Sequence, residues 1–437
     1  MRITIQTLGS RGDVQPYCAL ALALQGRGHL VQLVAPDQFS AMAAELGIPF
    51  VSLPAEFLAL IDSRAGKQAL GGKAISGSIN LLRQVGPLVR QVLEVEGQAI
   101  ADFGPDLIIH HPKSMASPHM AEKLGVPCVL ACPLPGFTPT AAWPSPLIPV
   151  ANLGPLNWAS HLLATKSANV LFGKLQRQWR QDVLGLPAKT EHKGPDATLY
   201  AYSPSVVPKP ADWGDDVLVS GYWFLDTPDW VMPDALQRFL AAGDAPVYVG
   251  FGSMPGIDPE RFTKAIIDGL ARAGKRGLLA TGGGALSASM APDHIHILDA
   301  APHDQLFAHV SATMHHGGAG TTAAALRAGK PTTICPFFGD QPFWARRLHN
   351  LGVSPPPLDR KRLTETCRIG SSGHGRTSHA PQCGSPRRPH PRRNRHCQRY
   401  RAARNAGIRQ IKRAPPERDP KTARQVRCGP SGPAPFP

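Results

Sequence analysis

The sequence predicts an α/β protein with two doubly wound parallel sheets. Short apolar runs alternate with segments of helical apolar spacing in two series, one starting at the N-terminus and one near Ala245. Strand, helix and strand in this order favour right-handed crossovers and therefore parallel pairing. A chain of 437 residues, 42% of them apolar, is long enough for two or three domains with cores of their own.

The first series opens with a predicted strand at Arg2–Leu8, a turn at Gly9–Asp13 and a helix at Val14–Gln25, where apolar residues recur at helical spacing. The elements predicted after these are a strand at Leu30–Ala35, helices near Phe39–Leu46 and Ile79–Phe103, a strand at Asp106–His110, a helix at Ser117–Leu124 and a strand at Cys128–Ala131.

The segment 126–165 carries no formal charge and holds eight prolines between Pro127 and Pro155. Proline removes a backbone donor and clashes with the preceding turn, so this density forbids a continuous helix. We predict a long apolar loop, and loops of this length are usually functional or disordered.

The second series is predicted as strands at Val247–Gly252, Gly277–Ala280, Ile295–Leu298, Ala312–His315 and Thr332–Pro336, with helices at Pro259–Ala273, His303–His309, Thr321–Ala328 and Gln341–Leu351. Segments rich in proline and polar residues separate the two series. We therefore predict an N-terminal domain at 1–221, a linker at 222–244, a C-terminal domain at 245–364 and a tail at 365–437.

The tail holds almost all of the net charge of +16, because it has 15 Arg and two Lys against three acidic residues. It has no Leu and 11 Pro, a composition that buries too little apolar surface to fold. We expect it to be disordered, and a shift of the reading frame is the favoured explanation. A basic arm for nucleic acid or an anionic surface, and a plain disordered extension, stay open as alternatives.

Composition also indicates the cellular compartment of the protein. The start, MRITIQTLGS, lacks the apolar region of a signal peptide, and no run of 18 apolar residues predicts a membrane-spanning helix. Eight cysteines without close pairs fit reduced thiols. We therefore expect a cytoplasmic protein, and peripheral contact with a membrane stays open.

The segment MHHGGAGTT (314–322) follows a predicted strand and opens a predicted helix. Glycines let the backbone approach an anion, and a helix N-terminus offers free N–H groups. It is not a Walker loop, because Pro331 follows Gly329-Lys330. We predict a phosphate site, and a turn used only for packing stays open.

The segment FFGDQ (337–341) lies at the next strand-to-helix turn, which should neighbour the first on the same sheet edge. The carboxylate of Asp340 and the carboxamide of Gln341 suit the hydroxyls of a sugar. An N-capping role for Asp340 stays open as the alternative.

With these motifs the chain resembles the nucleotide-sugar glycosyltransferases with two facing Rossmann-like domains, the GT-B architecture. The segment 315–341 looks like their donor signature, and GSRGDVQP (9–16) is similar to the start of their sterol and antibiotic-aglycone branch. Phe251-Gly252-Ser253 and Gly221-Tyr222-Trp223 also fit that branch. The resemblance covers residues 1–364 and leaves the tail unmatched.

The resemblance implies roles by position. Asp340 and Gln341 would hold the donor sugar, and Pro302 and His303 would stand against the nucleotide base. His315 would contact the donor diphosphate. The full set of diphosphate residues that it implies is Ser253, His315, His316, Gly317, Gly318, Gly320 and Thr321. No D-x-D motif occurs, so we expect neither a metal nor another cofactor.

Asp13 falls where this branch carries its catalytic aspartate. Inverting sugar transfer needs a base on the acceptor hydroxyl, opposite the departing diphosphate. A carboxylate of ordinary pKa near 3.9 is a weak base and must act in concert with attack. A turn-forming role for Asp13 stays open. His110 and His111 lie at another strand end, and we interpret them as structural residues, with acceptor binding as the alternative.

The resemblance implies an inverting transfer of a hexose from a nucleotide sugar, most commonly UDP-glucose in this family, to the hydroxyl of a lipophilic acceptor. The uncharged segment 126–165 fits an acceptor such as a sterol, terpenoid or polyketide. A nucleotide-sugar epimerase and a degenerate copy that only binds nucleotide sugar stay open. We expect no nucleic-acid partner, and the oligomeric state stays open.

Overall fold

The computed structural model of the protein describes residues 1–54, 75–189, 194–252, 254, 258–287 and 291–359. Ser253 and the predicted tail at 365–437 lie outside the described residues. Among the described cysteines, Cys18, Cys128, Cys132 and Cys335 are buried free thiols.

The N-terminal elements form one parallel sheet of seven described strands in the order β3-β2-β1-β4-β5-β6-β7. The order turns back at β1, so helices lie on both faces, which confirms the doubly wound α/β prediction. The elements are β1 (Arg2–Gln6), α1 (Arg11–Gln25), β2 (Leu30–Pro36), α2 (Ser40–Glu45), β3 (Phe50–Leu53), α3 (Ile75–Phe103), β4 (Leu107–His110), α4 (Ser117–Leu124), β5 (Cys128–Cys132), α5 (Asn157–Asp182), β6 (Ala197–Tyr200) and β7 (Val217–Val219).

The later elements form a second parallel sheet of five described strands in the order β10-β9-β8-β11-β12. The order again turns back at its first strand, β8. The elements are α6 (Asp234–Ala241), β8 (Val247–Gly250), α7 (Pro259–Arg272), β9 (Gly277–Ala280), β10 (Ile295–Leu298), α8 (His303–Leu306), β11 (Ala312–His315), α9 (Ala319–Arg327), β12 (Thr332–Ile334) and α10 (Gln341–Asn350).

Two predictions about local structure were wrong in part. α1 begins at Arg11 rather than Val14, because Ser10 is its N-cap and the Asp13 carboxylate accepts from the Ser10 backbone N–H at 2.8 Å. The predicted loop 126–165 contains β5. The stretch after β5 has no helix or strand until a short 3₁₀ turn at Gly154–Leu156. The prolines that forbid a helix end at Pro155, and α5 begins two residues later.

The connection between the two sheets makes contacts with both domains. Trp223 and Leu225 pack against the apolar core around β1 and α1. Two residues further on, the backbone N–H and the hydroxyl of Thr227 both donate to the carboxylate of Asp304, at 2.8 and 2.9 Å. The predicted linker 222–244 is thus ordered at these points, and it contains α6.

A buried carboxyl group supports the N-terminus of α4. Glu96 of α3 is fully buried, and its Oε2 accepts from the backbone N–H groups of Met115 at 3.2 Å and Ala116 at 3.0 Å. Burial disfavours the charged form and raises the pKa of Glu96 from 4.5 to about 7, although these hydrogen bonds oppose the shift.

This raised pKa predicts a pH-dependent stability. The native state keeps a proton on Glu96 that the unfolded chain releases above pH 4.5, so the free energy of unfolding falls between about pH 4.5 and about pH 7. Glu96→Gln should remove this loss and gain up to about 3 kcal/mol over the parent across that range. Urea unfolding at a series of pH values measures it, and parallel profiles for the two proteins would contradict it.

Candidate active site

Doubly wound parallel sheets bind ligands outside the carboxyl ends of their strands, where the strand order reverses. In the first sheet this point lies between β1 and β4, and the turns there carry Asp13 and the pair His111 and Lys113. In the second sheet it lies between β8 and β11, and the turn after β11 carries His316 and the following glycines. Asp13, His316 and the glycines after it therefore lie where the topology places ligand sites.

Asp13 lies in the first turn of α1 with its two carboxylate oxygens in different surroundings. Oδ2 accepts from the Ser10 N–H at 2.8 Å, the Ser10 hydroxyl at 3.1 Å and the Lys113 ammonium at 2.9 Å. Oδ1 faces His111 Nε2 at 3.4 Å. A carboxylate offers about four lone-pair sites, so Oδ1 retains capacity for a further donor. The turn-forming role that the sequence left open for Asp13 is therefore real, and it leaves Oδ1 able to accept from a further donor.

Gly9 makes this arrangement possible. Its φ is +145°, and a Cβ there would lie 2.2 Å from Asp13 Oδ2 and 2.8 Å from Lys113 Nζ. Any side chain at position 9 would displace the carboxylate or the ammonium, and only glycine adopts this backbone conformation without strain.

Charge holds Asp13 ionised. Burial by itself would raise the pKa of Asp13, but the Lys113 ammonium and the hydrogen bond from His111 outweigh it and hold the pKa well below its ordinary range. His111 Nδ1 accepts from the Lys113 backbone N–H at 3.1 Å, which puts the imidazole proton on the Nε2 that faces Asp13. His111 thus orients the carboxylate and has no ring nitrogen left to act as a base.

Removal of the Lys113 charge should move the acid limb of the pH–rate profile. In the predicted role of Asp13 as the base, its ionised form accepts the proton, so activity would be lost as pH falls through its pKa. Lys113→Ala raises that pKa, and we expect the acid limb of kcat/KM to shift upward by about one pH unit. Lys123→Ala, which removes an exposed lysine of α4, is the control. An unshifted limb in a folded Lys113→Ala protein would contradict this coupling.

His315, the last residue of β11, is fully buried and engaged within the protein. Its Nδ1 accepts from the Gly317 N–H at 3.0 Å, and its Nε2 lies 2.8 Å from the Thr332 hydroxyl. The proton therefore resides on Nε2, and neither nitrogen is left for a phosphate. The geometry does not support the direct diphosphate contact predicted for His315, nor a phosphate bond from the Gly317 N–H.

His316 has the capacity that His315 lacks. Its Nδ1 is buried and has no hydrogen-bond partner among the described residues. The ring lies against the backbone of Gly318, where a Cβ would be 2.6 Å from Nε2. Burial lowers the pKa of His316 to about 4, so at neutral pH it is an uncharged donor. An unsatisfied nitrogen beside a helix N-terminus fits an anionic group that the protein binds.

Helix α9 and its N-cap contain three more of the residues predicted to bind the diphosphate. Gly318 is its N-cap, and Gly320 and Thr321 are its second and third residues. N–H groups in the first turn have no acceptor within the helix, and they carry the positive end of its dipole. The positions predicted from the sequence are thus brought together beside His316.

The predicted base segment lies at the start of α8. Pro302 precedes the helix, and His303 stacks on Phe307 with ring centroids 4.5 Å apart. His303 Nε2 lies 3.1 Å from the Tyr248 hydroxyl. Contact of this segment with a nucleotide base stays a prediction.

Asp340 and Gln341 differ in orientation. The Gln341 carboxamide is turned into the protein, where Oε1 accepts from the N–H groups of Phe337 at 2.7 Å and Phe338 at 3.2 Å. This geometry does not support its predicted sugar contact. Asp340 makes no capping bond to α10, and its Oδ2 accepts from Trp344 Nε1 at 2.8 Å. The N-capping alternative is therefore not realised.

Electrostatic influence links the turns of the two sheets. Burial raises the pKa of Asp340, and the charge of Asp13 raises it further while Lys113 lowers it. Likewise, burial lowers the pKa of His303, and the charge of Arg11 adds to this shift. Neither Arg11 nor Lys113 was predicted as a site residue; Arg11 stands inside the GSRGD motif, but no motif marks Lys113.

The segment 133–153 is held mainly through hydrogen bonds to its backbone atoms. Most of the side chains that hold it belong to residues outside the segment: Tyr200 OH to the Thr138 N–H, Asp212 Oδ2 to the Ala141 N–H, Trp213 Nε1 to the Pro139 carbonyl, His161 Nε2 near the Trp143 carbonyl, and Ser160 Oγ to the Ser145 N–H. Within the segment, the Thr140 hydroxyl donates to Asp212 at 2.8 Å. Large apolar side chains are exposed here, in the adjoining 3₁₀ turn and in the first turns of α5, namely Leu147, Val150, Leu156, Trp158 and Leu163.

Two further findings concern the described parts of the chain. No cluster of three or more His, Cys, Asp or Glu side chains suited to a metal ion occurs among the residues that the structure describes. None of the described helices combines the length and apolar character needed to cross a membrane.

Comparison with known proteins gives consistent matches. The family model of the glycosyltransferase family 28 N-terminal domain matches residues 3–142, and that of the erythromycin biosynthesis protein CIII-like C-terminal domain matches residues 280–379. Among solved structures, the calicheamicin glycosyltransferase CalG4 is similar with a TM-score of 0.60 and 19% identity, covering 95% of this chain and 99% of that one. The two sheets and the turns at their carboxyl ends are those of the GT-B fold, and the N-terminal part of the chain matches the glycosyltransferase family 28 model.

The relatives that the chain matches include sterol 3-beta-glucosyltransferases. The chain is 36% identical over 371 residues to UGT80A2 of Arabidopsis thaliana, covering 82% of this chain and 58% of that protein. It is 37% identical over 375 residues to the enzyme of Aspergillus fumigatus, covering 81% of this chain and 26% of that protein. The chain thus spans little more than half the length of the plant relative and about a quarter of the fungal one.

Proposed function

We propose that the protein transfers a glucosyl group, with inversion, from a nucleotide sugar to the hydroxyl of a sterol-like lipophilic acceptor. One observation carries the proposal: the carboxylate of Asp13 keeps one oxygen open at one switch point, and the carboxylate of Asp340, whose Oδ2 accepts from Trp344 Nε1 at 2.8 Å, lies in the turn beside the other. A base and a sugar-binding group are thereby available to one substrate pair. The names of the relatives support glucose and a sterol as the two substrates.

The reaction needs one proton acceptor and one site for the leaving group. Asp13 Oδ1 accepts the proton of the acceptor hydroxyl as its oxygen bonds to the anomeric carbon of the sugar. The bond from that carbon to the diphosphate oxygen breaks, and the nucleoside diphosphate leaves with the electron pair. Because the pKa of Asp13 is low, proton transfer accompanies attack and does not precede it.

The leaving diphosphate would be stabilised by neutral donors. His316 contributes an imidazole N–H, and the first turn of α9 contributes the N–H groups of Gly320 and Thr321 and the positive end of its dipole. His315 would act through its bonds to Gly317 and Thr332, which fix the turn that carries His316. Arg11 adds positive charge from the other domain.

The exposed apolar side chains of 147–163 support a lipophilic acceptor. We propose that this surface also lies against the membrane that holds a sterol, since the stretch 126–165 has no formal charge to desolvate. Sedimentation with sterol-containing vesicles tests this contact. Retention of Trp158→Ser and Leu163→Ser at the parent level would contradict it.

The catalytic test uses the full chain with UDP-glucose and dTDP-glucose against a panel of sterols and other lipophilic alcohols, with products detected by mass spectrometry. The thymidine nucleotide is included because a fold neighbour, SsfS6, was solved with thymidine diphosphate. Glucoside formation that depends on the alcohol supports the proposal. Nucleotide-sugar interconversion without an alcohol would favour an epimerase, and binding without turnover would favour a degenerate copy.

A further inference from the structure

Helix α10 connects the sugar-binding turn to the other domain. It begins directly after Asp340, and three of its side chains contact residues of the N-terminal domain. The indole of Trp344 meets the ring of Tyr202 edge-on, with centroids 6.2 Å apart. Arg346 donates to the Val150 carbonyl at 3.1 Å, and the next residue, Arg347, donates to the Val206 carbonyl.

Trp344 takes part in both ends of this connection. The indole is fully buried, and its Nε1–H donates to Asp340 Oδ2 at 2.8 Å while its ring packs on Tyr202. This hydrogen bond favours the ionised carboxylate against a burial that raises the pKa of Asp340. It also fixes which carboxylate oxygen of Asp340 accepts from the indole, and therefore which oxygen is left for a ligand.

The Asp340 carboxylate does not bind the N–H groups at the start of its own helix. A residue at the N-cap normally turns its side chain to the first N–H groups of its own helix, but Asp340 makes no such bond. Its backbone is helical, with φ −81° and ψ −10°, and its carboxylate is directed instead to the indole one turn further along. The orientation of Asp340 therefore depends on the position of Trp344.

We propose that Trp344 is a positioning residue that makes recognition of the donor sugar depend on the contact between the two domains. This inference rests on the proposed function, in which Asp340 binds sugar hydroxyls. When the Tyr202 ring is in place, Trp344 holds Asp340 ready for the sugar. When that contact is lost, the indole shifts, and the protein retains the nucleotide while it loses preference for the attached sugar.

The test compares the binding of UDP-glucose and UDP to the full chain by calorimetry, which requires no turnover. Trp344→Phe keeps an aromatic ring and removes the N–H. We expect affinity for UDP-glucose to fall about three- to tenfold, the range for one lost hydrogen bond, while affinity for UDP stays within about twofold. Trp213→Phe, the same change at an indole that donates to Pro139, should alter neither affinity.

Tyr202→Leu provides the second variant, because it leaves the indole N–H in place and removes the ring that the indole contacts. It should lower UDP-glucose affinity selectively, though less than Trp344→Phe does. An unchanged ratio of the two affinities in folded Tyr202→Leu overturns the dependence on the domain contact. An equal loss of UDP and UDP-glucose affinity in Trp344→Phe overturns the positioning role, whereas a parent that binds neither nucleotide overturns the proposed function itself.

Discussion

Asp13→Asn should abolish sugar transfer while the protein still binds nucleotide. The amide keeps the shape of the side chain and an oxygen that accepts from the Ser10 N–H, so α1 remains capped. It cannot accept the proton of an attacking hydroxyl, and loss of a general base typically costs a factor of about 10² to 10⁴ in kcat. Steady-state turnover and calorimetric binding of UDP measure the two effects separately.

The matched control is Asp215→Asn, the same change at an exposed aspartate of the same domain. It should leave turnover unchanged. Transfer by Asp13→Asn at the parent rate would show that another group is the base. Loss of UDP binding together with turnover would show that Asp13 acts through the structure of the cleft.

The second large effect concerns His316. His316→Ala removes an N–H donor from the leaving diphosphate, and we expect turnover to fall at least about tenfold, or roughly 1.4 kcal/mol. Affinities for UDP and UDP-glucose should fall together, because both ligands carry the diphosphate. Stability should change little, since the missing Nδ1 has no partner among the described residues.

Two comparisons sharpen this result. His309→Ala removes an exposed histidine of the same domain and should change neither turnover nor binding. His315→Ala breaks buried hydrogen bonds to Gly317 and Thr332, so its main effect should be a lower free energy of unfolding. Full turnover in His316→Ala, or normal stability with lost turnover in His315→Ala, would return the diphosphate contact to His315.

The architecture was largely predictable from the sequence. Parallel strands buried on both faces read as short apolar runs, and most predicted elements differ from the observed ones by only a few residues. The short strands β3, β6 and β7 were not predicted, because each has only three or four residues. α5 was not predicted, because its first residues were assigned to the proline-rich loop that precedes it.

The site was predictable in location but not in side-chain orientation. The glycine-rich motif marks the turn after β11, yet it does not say which of two adjacent histidines turns inward. Alternation in β11 offered a signal, since Thr313 and His315 share the face on which Thr313 also contacts Thr332. Lys113 lies 100 residues from Asp13, and only the pairing of β1 with β4 brings them together.

The way in which the segment 133–153 is held has a consequence for protein engineering. Its main anchors, from Tyr200, Asp212, Trp213, Ser160 and His161, bind backbone atoms of the segment and lie outside it. The identity of most side chains within the segment is therefore not fixed by its attachment. Under the proposed function, a library randomised at its exposed apolar positions, with the anchors kept, would vary acceptor choice in a scaffold whose donor chemistry stays the same.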